Sequence, residues 1–239
     1  MTTLPDKTAL LGQIASLLPL ALDPAYISKA ATDDIYEAVS FCLIAKAAED
    51  AEGKVSFVDG DGKPVTSLCF STQPHRVSKG PYTHALIEFD GKLRLEAHIG
   101  IYISSKTLDI MECDVCVVQK READFFRKYT KQSVRNRGER EAPDSSKVLI
   151  ATECKYWEND LNSLVSYACI GRFKSLSAKH HHIVTAIRSK RAERKIRDGL
   201  GCYVWQPALL PTNAAPIMRF QGVLIQEFTD YRTESRNNQ

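Results

Sequence analysis

Two triplets carry the residue types from which hydrolytic chemistry is built, Glu112-Cys113-Asp114 and Glu153-Cys154-Lys155, each set in an apolar run of the 239-residue chain. On an extended strand, side chains two positions apart share a face. Glu153 and Lys155 therefore point together and Cys154 away, and Glu112 and Asp114 are disposed likewise about Cys113. Each triplet puts charge on one side of a strand whose other side is apolar: Ile150, Thr152 and Cys154 in one, Met111, Cys113, Val115 and Val117 in the other. Charge on burial-prone strands calls for a reason. Metal-assisted phosphodiester hydrolysis supplies one: carboxylates hold a divalent cation against the phosphate, and an ammonium aligns the nucleophile or neutralises developing charge. Asp114 and Glu153 are the candidate metal ligands and Lys155 the candidate ammonium.

The elements that must position these residues follow from hydrophobic period and punctuation. Thr32 or Asp33 is expected to cap a helix running through Ile35, Tyr36, Val39, Phe41 and Ile44 to about Ala48. Glu37 heads a stripe with Phe41 and Ile44, where a carboxylate needs a partner, either a site cation or the positive end of the helix dipole. The cleanest alternation sets Leu93, Leu95, Ala97, Ile99, Ile101 and Ile103 on one strand face and Arg94, Glu96, His98, Gly100 and Tyr102 on the other. Ser104 to Thr107 then reads as a hairpin connection into the Asp114 strand, Leu108 to Val118. If the polar faces of that hairpin coincide, Glu96, His98 and Glu112 join the site as second-tier candidates. A one-residue slip reverses the faces, and cross-strand pairing accounts for the same charges.

With a strand bearing Asp114, a second strand from Val148 ending in Glu153-Cys154-Lys155, and a helix after it, the chain resembles the PD-(D/E)XK superfamily of nucleases. Cys113 stands where the motif's name has proline. The resemblance implies an α/β fold with a restriction-endonuclease-like core, a mixed central β-sheet flanked by helices in the order helix, three strands, helix, strand. It implies Mg²⁺, or Mn²⁺, on Asp114 and Glu153, with Lys155 beside the attacking water and Glu37 as the acid of the preceding helix. The expected activity is a divalent-metal-dependent nuclease, DNA endonuclease first, of a restriction, phage-defence or repair type. A catalytically silent nucleic-acid-binding or assembly module on the same fold is the alternative.

The remainder of the chain is read to match. Asn159 or Asp160 caps a helix through Phe173, His182 to Ile187 is a short buried strand, Arg191 to Gly199 a basic helix, and Cys202 to Gln206 another strand. The core spans about 33–206 of a single domain, with an N-terminal helical extension and an inserted β/loop region at about 55–89. Ala9 to Leu22 is interrupted by Gln13 and Pro19 and reads as an amphipathic helix rather than an export signal. Seven cysteines, most in apolar segments, suit a reducing, cytoplasmic setting. Cys113 and Cys116 fall on opposite strand faces in this reading, which argues against a shared zinc.

Charge is unevenly distributed along the chain, although the total is only +3. Residues 1–62 hold ten acids against four lysines, whereas Arg172 to Arg197 holds nine basic residues against Glu193. Arg135, Arg137, Arg188, Lys190, Arg191 and Arg194 are the candidate contacts to phosphates, because cations along a nucleic-acid backbone gain from counterion release. The expected partner is nucleic acid, DNA before RNA, in a homodimer or a larger defence or repair complex, and no membrane. An enzyme of a small phosphorylated metabolite ranks lower, because no glycine-rich phosphate loop is present.

Overall fold

The computed structural model describes residues 4–77, 80–128, 141–157, 163–200 and 205–234. Arg135, Arg137, Asn159, Asp160 and Cys202 lie outside them. Helix α1 (Lys7–Leu17) is capped by Asp6, which accepts from the Ala9 N–H at 2.9 Å, and α2 (Pro24–Lys29) is capped by Asp23. Helix α3 (Thr32–Asp50) is apolar almost all round and lies in the middle of the fold. Its start differs from expectation: Ala31 is the cap position, and Asp34 reaches back to its N–H at 2.7 Å, so neither Thr32 nor Asp33 does the capping.

Seven strands follow in one mixed sheet whose order is the chain order. They are β1 (Lys54–Val58), β2 (His84–Glu88), β3 (Leu95–Ser104), β4 (Ile110–Gln119), β5 (Val148–Lys155), β6 (His180–Thr185) and β7 (Trp205–Pro207). Strands β1 to β5 pair antiparallel; β5, β6 and β7 pair parallel, joined by helices α5 (Ser163–Ser175) and α6 (Lys190–Leu200). Helix α4 (Lys120–Lys128) continues directly from β4. The region expected as an insertion supplies β1 and β2, so it extends the sheet rather than leaving it.

Two apolar layers cover the sheet. On one face α1, α3 and a C-terminal helix, α7 (Ala214–Thr233), bury Leu10, Ile14, Phe41, Ile44, Phe220, Leu224 and Phe228 against Ala97, Val115, Val117 and Ile150. On the other, Cys169 and Phe173 of α5 and Ala192 and Ile196 of α6 cover Ile101, Cys116, Val118 and Ile183. The alternation along β3 is not unbroken as expected. Leu95, Ala97 and Ile99 belong to the first layer, Ile101 and Ile103 to the second. The switch falls at Gly100, whose φ of +59° is a left-handed backbone that glycine adopts without strain. Strand β4 switches at the same level, with Cys113 in the second layer and Val115 and Val117 in the first. The thiols of Cys113 and Cys116 consequently share a face, against the opposite-face expectation, and Cys113 Sγ lies 3.4 Å from the Val115 carbonyl. The strand expected from His182 to Ile187 runs instead from His180 to Thr185 and so takes in three consecutive histidines: His182 reaches Glu227 of α7 at 3.0 Å, and His181 stacks on Phe173 from the other face.

Candidate active site

The β4–β5 ladder ends at Val115↔Thr152, one position before Asp114 and Glu153. Past that point the strands part, and a side chain takes over from the ladder: the Cys154 N–H donates to Asp114 Oδ2 at 2.7 Å. Glu153 and Lys155 project together, as strand periodicity requires, with Lys155 Nζ 2.5 Å from Glu153 and 3.6 Å from Asp114. Cys154 points the other way, its thiol 3.4 Å from Ser40 Oγ on α3. Asp114 and Glu153 are buried, at 5% and 2% exposure. Three of the expected residues thus meet at the fork between two strands.

The fork gathers more acid than base. Burial, and after it Asp114, push the Glu37 carboxyl on α3 well above its ordinary value. Burial and then Glu153 do the same to Asp114, against the pull of Lys155. Glu112 is half-buried and raised by burial, with Arg172 opposing. Burial works against charge on Lys155, but Asp114 and Glu153 outweigh it and hold the ammonium above its usual range. Arg172, from the last turn of α5, donates to Glu153 Oε2. It belongs to the site and was legible only as one member of a basic run. The signal available was its place on the helix after the Lys155 strand.

Among the described residues, no group of three His, Cys, Asp or Glu side chains is placed to hold a metal ion as it stands. The donor set nevertheless suits a hard cation: Asp114, Glu153 and Glu37 offer only carboxylate oxygen, the ligand type Mg²⁺ and Mn²⁺ prefer. The carboxyls of Glu37 and Asp114 are raised by burial first and by neighbouring carboxylates after it, the second of which a bound cation would relieve.

Glu96 and His98 do not join this site. They face Val118 and Cys116 in register, whereas Asp114 lies at the level of Gly100, so Glu96 sits roughly 13 Å along the strand. They form a second buried cluster. His98 Nε2 lies 3.0 Å from Glu96, His84 Nε2 lies 3.6 Å from it, and the two imidazoles stack at 4.8 Å. Arg127 of α4 donates to both Glu96 oxygens and, at 2.8 Å, to Asp124. Burial alone would raise the Glu96 carboxyl, but bonds from His84, His98 and Arg127 hold it far below its ordinary value. His98 is lowered to about 4, chiefly by burial. A hollow of about 320 Å³ opens beside this cluster, lined also by Gly60, Gly62 and Lys128.

The basic residues fall on and around α6. That helix buries Ala192 and Ile196 and leaves Lys190, Arg191 and Arg194 exposed, and Arg188 is exposed just before it. On α5, Tyr167 is exposed beneath Lys195, whose Nζ lies 4.4 Å from the ring centre, while Ser166 is buried. Tyr156 covers the core's edge against Tyr36, and Trp157 is 40% exposed beyond it. No helix among the described residues is long and apolar enough to cross a membrane. With this geometry in hand, the chain matches no family model, no curated protein and no solved structure.

Proposed function

We propose that the chain is a divalent-metal-dependent nuclease of PD-(D/E)XK type, acting on DNA. One observation carries the reading: Asp114, Glu153 and Lys155, from strands separated in sequence, converge within 3.6 Å where the β4–β5 ladder ends. The order α3, then β3, β4 and β5 antiparallel, then α5 and a parallel β6, agrees with the core order of that superfamily.

Asp114 and Glu153, with Glu37, would hold Mg²⁺ or Mn²⁺ at the fork. Such a cation, when bound, acidifies water and takes up charge on the phosphate. The chain's own part is positional. The Cys154 N–H fixes one Asp114 oxygen and leaves the other without that constraint. Lys155, kept protonated by its two carboxylate neighbours, offers N–H donors to a water or a phosphate oxygen. Arg172 shares Glu153 with it and would turn to the phosphate once a cation claims that carboxylate. The exposed cations of α6 supply backbone contacts without sequence preference.

The experiment is cleavage of circular DNA by the purified full chain with Mg²⁺, alongside Lys155→Ala. We expect the variant to keep its fold and its DNA binding and to lose roughly 10²- to 10³-fold or more in cleavage rate, the usual loss on removing one electrostatic stabiliser. Undiminished cleavage by the variant would remove Lys155 from the reaction. A second reading, a silent nucleic-acid-binding module, draws on the double ion pair of Glu153 with Lys155 and Arg172. It predicts no heat of Mg²⁺ or Mn²⁺ binding in calorimetry, whereas the nuclease reading predicts binding that Asp114→Asn abolishes.

A further inference from the structure

We infer that a hollow at the β7 edge of the sheet binds a phosphate group of nucleic acid, apart from the carboxylate fork. The hollow measures about 360 Å³ and is walled by α6, β7 and α7, with Arg188, Arg197, Trp205 and Arg219 on its lining. That is within the range of small-ligand sites, roughly 300 to 1,000 Å³, and leaves room for a sugar beside the phosphate.

Donors without acceptors define its chemistry. Arg197 is engaged by Glu193 at 2.5 Å. Arg188 and Arg219 have no carboxylate partner among the described residues. Trp205 is 6% exposed and forms part of the hollow's wall. Two guanidinium forks without carboxylate partners match the paired oxygens of a phosphate. The group that suits this lining is therefore anionic and rich in acceptors.

The sheet register relates this hollow to the fork. Lys155 pairs with Thr185, and Thr185 with Pro207, which lines the hollow. Two strand spacings separate Lys155 from Pro207, about 10 Å of backbone, a distance on the scale of one to two nucleotides of a single strand. A nucleic-acid strand bound at the carboxylates would have a neighbouring phosphate within this reach of the hollow. That nucleic acid is the source rests on the nuclease reading; the phosphate site itself does not. A terminal phosphate and an internal phosphodiester present the same chemistry to these donors.

The test uses the full chain in EDTA, so that metal plays no part. Labelled oligonucleotides with a 5′-phosphate, a 3′-phosphate or no terminal phosphate are titrated by anisotropy, with inorganic pyrophosphate as competitor. Arg188→Gln/Arg219→Gln should weaken binding at least tenfold, while Lys63→Gln, a charge loss on the exposed β1–β2 connection, leaves it within twofold. In a Trp157→Phe background, pyrophosphate should change Trp205 emission saturably, a readout that needs no variant of the hollow. Tenfold tighter binding of one phosphorylated end assigns the hollow to strand termini; equal affinity assigns it to internal phosphates. Unaltered affinity in the double variant together with an unresponsive Trp205 overturns the proposal. Retained phosphate binding without any Mg²⁺-dependent cleavage overturns the nuclease reading alone.

Discussion

Glu96 and Asp114 are buried on neighbouring strands, at 0% and 5% exposure, yet their surroundings treat charge in opposite ways. Glu96 has Arg127 on both oxygens, an imidazole on each side, and Lys120 at 3.5 Å, while Asp124 balances the extra cations. Its charge is fully answered, and its carboxyl is held low. Asp114 shares its fork with Glu37, Glu112 and Glu153, and among the described residues Lys155 and Arg172 oppose them. Its carboxyl is pushed up, not down. A buried charge that the fold satisfies is part of the architecture. One that the fold leaves in excess points to a further positive group, and perturbed carboxylates in a cleft mark functional sites for that reason.

Breaking the satisfied cluster should have the largest effect on stability. Glu96→Gln leaves the buried Arg127 guanidinium with only the more exposed Asp124 as counter-charge, a loss of about 3–5 kcal/mol. Scanning calorimetry should show the melting temperature falling by on the order of 10 °C, at about 2–4 °C per kcal/mol for a chain of this size. A shift below the scatter between scans would mean that the cluster is not structural.

Acid should reach the same cluster next. His98 titrates at about 4 in the fold against 6.5 when unperturbed, so between those values the unfolded chain binds the additional proton. Stability is then complete above pH 6.5 and declines as pH falls towards 4, and Glu96, held low, extends the loss below its own ordinary range. Denaturant midpoints between pH 7 and 4 should trace that decline, and His98→Gln should flatten its upper part. A slope unchanged in the variant would assign the acid sensitivity elsewhere.

The smallest effect sharpens the contrast, because it has the opposite sign. Glu37 is raised in the fold, so it costs stability increasingly as pH rises above its ordinary carboxylate range. In EDTA at pH 8, Glu37→Gln should stabilise the chain by roughly 1 kcal/mol, or about 2–4 °C. A destabilised variant would show that Glu37 is already partnered.

Local pattern made much of this legible. Strand β5 has the bounds read from its apolar run and closing triplet, and α3 and α6 follow from their stripes. The facing of Glu153, Cys154 and Lys155 came from the period-two rule alone. The errors lie where one residue changes the backbone or where partners are distant. Gly100 turns both β3 and β4 over without disturbing the apparent alternation, and so brings Cys113 and Cys116 together. Glu96 was drawn towards Asp114 by a shared hairpin, whereas His84 and Arg127, from β2 and α4, claim it. Helix α7 was passed over, although Pro216, Phe220, Leu224 and Phe228 recur at helical spacing and are buried.

Because the sheet's order is the chain's order, every strand pairs with the one made just before it. A nascent chain leaving the ribosome can lay down β1 through β5, with both triplets, before anything later is synthesised. Helix α7 comes last and covers α3. Until the final turns emerge, the central helix keeps an oily flank open to chaperones, and truncation near the C-terminus would leave that flank bare however complete the sheet.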